Sequence, residues 1–169
     1  VIHLKDVEMR LISELVKNSR RSDRQLAKVL HISQPTVTRT RTRLEKEGMI
    51  DYSGVPNLVK LGYEIIAVVF GKRNYQKHPD ILHEAGDFAK RHPNIIFGAD
   101  GIGFGYDRIS VSIHKDYSDF CKFMNELRAE LGEALKVDSF LINLSSKGVL
   151  QPLSLKRFAE QLIEKKEPE

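Results

Sequence analysis

The chain has 169 residues, 41% of them apolar and 30% charged, a balance that supports a folded core and excludes wholesale disorder. No apolar run approaches the roughly 20 residues a membrane helix needs, and the lone cysteine, Cys121, excludes an intrachain disulfide. The net charge of +4 is uneven: residues 1–50 hold 11 Lys and Arg against 6 Asp and Glu, whereas residues 51–169 hold 16 against 17. A basic module beside a near-neutral one is the footprint of a nucleic-acid binder with a second domain, although a basic surface also serves solubility. Charged residues from Lys5 and Asp6 onward argue against a signal peptide, and a cytoplasmic, nucleoid-associated location is expected.

Residues 6–18 carry Val7, Leu11, Ile12 and Leu15 at helical spacing. Ser22 followed by Gln25 forms a capping box for a second helix that runs to about Leu30 and buries Leu26, Ala27 and Leu30. His31-Ile32 is the turn, with His31 where a positive φ is often needed. Ser33 caps a third helix, Pro35 sits in its first turn and Gly48 ends it. Met49 to Tyr52 reads as a short strand, the start of a small wing. After a connector, residues 65–70 (IIAVVF) read as a strand, and Pro79 opens a helix burying Ile81, Leu82, Ala85, Phe88 and Ala89. Ile95 to Phe97 is a second strand and Gly98 to Gly105 a turn. Ile109, Val111 and Ile113 alternate with serines in a third strand. A helix from Tyr117 to Leu131 buries Phe120, Met124, Leu127 and Leu131, and Phe140, Ile142 and Leu144 alternate in a fourth strand. A last helix, Ser154 to Lys165, buries Leu155, Phe158, Leu162 and Ile163, and residues 167–169 fray.

The expected fold is α+β. Residues 1–54 form a winged helix-turn-helix and 55–62 a connector. Residues 63–150 form a ferredoxin-like βαββαβ domain, and 151–169 add a C-terminal helix and tail. In the βαββαβ topology helices cover one face of the sheet, yet residues 65–70 are apolar on both faces. A second copy of the sheet is the simplest cover, which makes the chain a homodimer; the C-terminal helix is the other candidate cover.

The third helix is where the chemistry concentrates. Val37 and Leu44 share one side, and Gln34, Thr36, Thr38, Arg39, Thr42 and Arg43 lie away from it. Arg can bond a guanine edge twice, Gln can pair with adenine, and a Thr methyl can contact thymine, so these six are the expected base readers. Arg20, Arg21, Ser22, Arg24, Ser33 and Lys46 are placed to hold phosphates, which positions a protein without reading sequence. A solvated basic helix in a small bundle is the blander alternative, but cap, turn, polar helix, glycine stop and wing arrive together.

These residues carry a family resemblance. Leu4 to Arg10, Leu26-Ala27, Ser33, Leu44-Glu45, Glu47-Gly48, Ile50 and Leu61-Gly62-Tyr63, with Gly103 to Asp107 before the third strand, resemble the Lrp/AsnC (feast/famine) transcription regulators. The resemblance covers roughly residues 4–150. It implies sequence-specific binding of double-stranded DNA and a dimerising α/β sensor that often assembles further. It also implies an effector, commonly an amino acid, held near the turn between the second and third sheet strands at subunit contacts. Asp100, Gly101, Gly103, Gly105, Tyr106 and Asp107 are the residues it places there. Three positions depart from the family pattern: Arg41 stands where an aliphatic residue is usual, His31 where glycine is usual, and Phe104 where glycine is common.

Other signals are weaker. The Gly101-x-Gly103-x-Gly105 spacing joins two strands rather than a strand and a helix, so it is not a dinucleotide loop. Cys121 falls on or beside an apolar helix face and reads as a packed thiol. One cysteine and six dispersed histidines give no metal spacing, and no nucleophile–base set emerges, so neither cofactor, metal nor enzymatic activity is expected. Two further readings are weighed: a sirohaem decarboxylase, which shares this architecture but needs a His/Arg-lined pocket, and an assembly or ligand-binding module with vestigial DNA binding.

Overall fold

The computed structural model describes residues 4–74, 81–145 and 149–163, excepting the side chains of residues 81, 82 and 133. In chain order the elements are α1 (Asp6–Lys17), α2 (Asp23–Leu30), α3 (Gln34–Lys46), β1 (Ile65–Arg73), α4 (Ile81–Arg91), β2 (Ile95–Gly103), β3 (Tyr106–His114), α5 (Tyr117–Leu131), β4 (Leu135–Asn143) and α6 (Phe158–Gln161). Two compact units result. One is built from the stretch up to Val55 together with the stretch from Gln151 onward; the other is Pro56–Leu150.

The first unit is a helical bundle whose core is Leu11, Ile12, Leu15, Leu26, Ala27, Leu30, Val37 and Leu44. The expected caps form. Ser22 Oγ accepts the Gln25 N–H at 3.3 Å while Gln25 Oε1 accepts the Ser22 N–H at 2.8 Å, and Ser33 Oγ accepts the Thr36 N–H at 3.3 Å. His31 takes φ 57° and ψ 42°, the left-handed conformation that turns the chain from α2 into α3. Gly48, at φ 67°, ends α3.

Two expectations for this unit are corrected. Met49–Tyr52 forms no strand: the chain runs without ladder pairing from Ile50 to Asn57, and Tyr52 is instead tied by its hydroxyl to Glu45 Oε1 at 2.8 Å. The C-terminal helix is one turn, Phe158–Gln161, and Leu155, Phe158 and Ile163 are exposed. Among its described residues Ala159, fully buried, and Leu162 pack inward, and Ser13 Oγ on α1 donates to the Ala159 carbonyl at 2.6 Å. The apolar residues Leu155, Phe158, Leu162 and Ile163 suggested a longer helix, but Leu155, Phe158 and Ile163 find no burial. The described part of the tail, residues 151–163, belongs to this unit.

The second unit is an antiparallel sheet in the order β2-β3-β1-β4, with α4 and α5 packed on it, the βαββαβ arrangement expected. The second strand is longer than its apolar residues suggested. It continues through the glycines to Gly103, so the turn is only Phe104-Gly105, both at positive φ (51° and 80°) as a two-residue hairpin requires. Likewise β4 starts at Leu135 and β1 continues to Arg73, while Leu144 lies beyond β4. Pro79, and the side chains of Ile81 and Leu82 expected inside α4, lie outside the described residues, as does the tail from residue 164.

Register decides which strand residues meet the helices. Ala67 pairs with Ser112 and Leu141, Val69 with Ser110 and Ser139, and Gly71 with Arg108 and Val137 on the helix-covered face. The other face aligns Ile66 with Ile113 and Ile142, Val68 with Val111 and Phe140, and Phe70 with Ile109 and Asp138. The third strand thus turns its serines, Arg108 and His114 toward the helices and its isoleucines and valine outward. Beneath the helices His114 is fully buried, its Nε2 2.8 Å from Ser112 Oγ, with Asn94 Nδ2 3.2 Å from its Nδ1.

Candidate nucleic-acid interface

Helix α3 is amphipathic because Val37 and Leu44, seven residues apart, return to one side and are fully buried. On the opposite side lie Arg39, Thr42 and Lys46, all exposed. Arg39 and Lys46 carry no ion pair among the described residues. The remaining expected readers are spread around the flanks. Gln34 is exposed at the start of the helix. Thr36 is half-buried and shares a hydrogen bond of 2.7 Å with Ser33 Oγ. Thr38 Oγ1 donates to Asp23 Oδ2 at 2.6 Å, and Arg43 is bonded to Glu8 of α1, with Glu47 3.8 Å away. Glu8 is buried. The bond it accepts from the Lys5 N–H, working against the cost of burial and helped by the Arg43 charge, holds its carboxyl below the ordinary range.

The expected phosphate contacts are laid along the unit's outer edge. Arg20, Ser22, Arg24, Ser33 and Lys46 are exposed, and the Ser22 and Ser33 N-caps leave helix N-termini there, which favour anions. Arg21 is half-buried and pairs with Glu14 of α1.

Arg41 is the residue whose role the sequence did not disclose. Its side chain is 22% exposed. Nε donates to Glu45 Oε1 at 2.8 Å and to the Tyr52 hydroxyl at 3.1 Å; Nη1 donates to Asp23 Oδ1 at 3.2 Å and the Arg21 carbonyl at 3.4 Å. The guanidinium also lies 5.1 Å from the Tyr52 ring centre. Rather than emerging into solvent, the guanidinium ties α2, α3 and the segment after α3 together. The only signal was negative: an Arg near the apolar side of a helix needs partners.

In the second unit the structure places Asp100 and Asp107 in an ion-pair network rather than at a turn. Arg73, 6% exposed, donates Nε to Asp107 Oδ1 at 3.0 Å and Nη1 to Asp100 Oδ1 at 3.2 Å, and Arg108 Nε donates to the same Asp100 oxygen at 3.1 Å. Burial works against the Asp100 charge, but the two arginines outweigh it and hold its pKa below normal. Tyr106 is bonded through its hydroxyl to Asp138, which pushes the phenol pKa up. Gly101, Gly103 and Gly105 are exposed around the hairpin, beside the fully exposed side chains of Ile102 and Phe104. Arg73 and Arg108 were not singled out in the sequence, because only strand register brings them to these aspartates. Among the described residues, no group of three or more His, Cys, Asp or Glu is placed to hold a metal, and no helix is long and apolar enough to cross a membrane.

Comparison with known proteins places this geometry. Residues 4–51 match the winged helix-turn-helix DNA-binding family. An uncharacterized HTH-type transcriptional regulator, PF1734 from Pyrococcus furiosus, is 27% identical over 127 residues, 75% of this chain and 82% of that protein. Among solved structures, the transcriptional regulator NMB0573 from Neisseria meningitidis, in complex with L-Met, superposes with a TM-score of 0.74 at 16% identity over 92% of this chain and 99% of that one. An AsnC family transcriptional regulator from Agrobacterium tumefaciens gives 0.74 at 15% identity over 91% and 99%. Residues 4–51 therefore match a helix-turn-helix DNA-binding domain, and the chain as a whole has the fold of these AsnC-family regulator structures.

Proposed function

We propose that the protein binds operator DNA as a homodimer, reads it with α3 and is modulated by a small-molecule effector. The observation that carries the reading is the exposed side of α3, where Arg39, Thr42 and Lys46 make no ion pair among the described residues while Gln34 flanks them at the helix start. Arg43, Thr36 and Thr38 spend hydrogen-bonding capacity inside the unit, so Arg39 is the principal base reader and Arg20, Arg24 and Lys46 the principal phosphate contacts. Dimerisation is supported by the open sheet face, where Phe97 and Phe140 are 54% and 64% exposed beside Ile66, Val68, Val111, Ile113 and Ile142. Two copies related by a two-fold axis would present two α3 helices to half-sites about one DNA turn, or a multiple, apart. An amino-acid effector is supported by the likeness to a regulator solved with L-Met, acting on the second unit near Asp100–Asp107.

Selection of bound fragments from a random duplex library, with and without amino acids, tests the whole reading. In follow-up titrations Arg39→Ala is expected to relax base preference, at a cost of about 1–3 kcal/mol on the best site. Arg24→Ala is expected to weaken all duplexes alike and to lower the salt slope by roughly one. Unchanged operator affinity in both variants overturns the assignment of α3 as reader.

A further inference from the structure

Between α4 and the sheet lies a cavity of about 520 Å³, within the range of roughly 300–1,000 Å³ typical of small-molecule sites. Part of its wall is small: Ala85 and Ala89 on α4, Gly71 of β1 and Gly98 of β2 line it, with Phe88 and Phe97 as its aromatic rings. Two of these glycines differ in kind. A Cβ at Gly71 would sit 3.1 Å from Leu135 Cδ1, close enough that the leucine would have to shift, so the protein's own packing presses on that glycine. A Cβ at Gly98 would meet only Ala89 Cβ at an ordinary 3.8 Å, so the space above Gly98 is not required by the protein's own contacts.

The cavity also has a polar end. Ser110 and Arg108 line it from the helix-covered face of β3. Arg108 Nε is bonded to Asp100, but Asp100 Oδ1 is shared with Arg73, and Arg108 Nη1 is buried with no hydrogen-bond partner among the described residues. A buried guanidinium N–H left without an acceptor is costly, so Arg108 is short of one acceptor. Guanidinium pairs best with a planar carboxylate, which offers two oxygens to its fork of donors.

We propose that this cavity binds a small aliphatic carboxylate, its carboxylate on Arg108 and its hydrocarbon tail between Ala85, Ala89 and Gly98. The site lies within one protomer and needs no residue of the β2–β3 hairpin tip. For its consequence, though not for binding itself, it rests on the reading that an effector acts on this unit.

The test is calorimetric titration of the full chain with 4-methylpentanoate and with its neutral counterpart 4-methylpentan-1-ol. The acid is expected to bind and the alcohol to bind at least about tenfold more weakly. Arg108→Gln is expected to remove that preference. Gly98→Val fills the space with a residue suited to a strand and is expected to abolish binding while the thermal midpoint is kept or raised. Equal binding of acid and alcohol, undiminished binding by Arg108→Gln, or no heat from either probe at millimolar concentration overturns the proposal; the last result would mean the cavity holds solvent that serves Arg108. Operator retardation measured in parallel separates the two readings: acid binding without any change in DNA affinity keeps the site and removes its regulatory role.

Discussion

Arg41 shows how a side chain's position can be legible where its partners are not. Its place near the apolar side of α3 is plain from helical spacing, but Asp23, 18 residues away on α2, and Tyr52 beyond the helix end are brought to it only by folding. Arg41→Ala removes these bonds and leaves Asp23 and Glu45 without their cation; it is expected to cost about 1–3 kcal/mol in urea melts, whereas Arg39→Ala should leave stability within about 0.5 kcal/mol. Equal costs for both would show that the Arg41 contacts add nothing. His114 makes a second residue-scale prediction. Burial, opposed by the Asp119 charge and reinforced by His92, holds its pKa below the usual 6.5. The unfolded chain therefore takes up a proton near 6.5 that the folded chain refuses. This stabilising contribution is present in full above that value and is lost progressively as the pH falls below it toward the folded-state pKa. Denaturant melts at about pH 7.5 and pH 5 are expected to show the decline, and His114→Gln to flatten it.

At the scale of elements, α3 is built against its own propensity. Thr36, Thr38, Thr40 and Thr42 are four β-branched residues in a helix of 13, each costing up to about 0.7 kcal/mol relative to Ala. The Ser33 cap and the burial of Val37 and Leu44 offset that cost, and the threonines supply short methyl- and hydroxyl-bearing side chains on the exposed surface. Thr42→Ala is accordingly expected to raise stability by about 0.5 kcal/mol while weakening operator binding, opposite effects that melts and duplex titrations read separately. The turn before α3 is costly too. His31 holds the left-handed conformation without glycine's freedom, and His31→Val, β-branched at φ 57°, is expected to lower stability by about 1–2 kcal/mol. The helices of the first unit were legible because their caps and apolar periods are local. The strand at Met49–Tyr52 was misread for a related reason: its residues have strand character, but a strand exists only where a partner ladder does.

For the whole molecule, the governing fact is which face of the sheet the helices cover. The third strand sends Arg108, Ser110, Ser112 and His114 toward α4 and α5, leaving Ile109, Val111 and Ile113 on the open side with Ile66, Val68, Phe140 and Ile142. A sheet whose more apolar side lacks a helix layer is suited to pairing with a copy of itself. Val68→Asp, at the centre of that side, is expected to convert a dimer into a monomer in sedimentation equilibrium with little change in the fold's circular dichroism. An unchanged mass would place the interface elsewhere. The sequence by itself determined the element order of the helices and sheet, the caps, the left-handed turn at His31 and the polar, basic side of α3, since each depends on residues within one or two turns of one another. It also carried enough of the Lrp/AsnC pattern to imply the arrangement of both units. Only the tertiary structure decided the partners of Arg41, the ion pairs of Asp100 and Asp107 with Arg73, the one-turn limit of α6 and the cavity beside Arg108. Those depend on strand register and on contacts between residues far apart in the chain, and a period of two or of 3.6 residues carries no record of them.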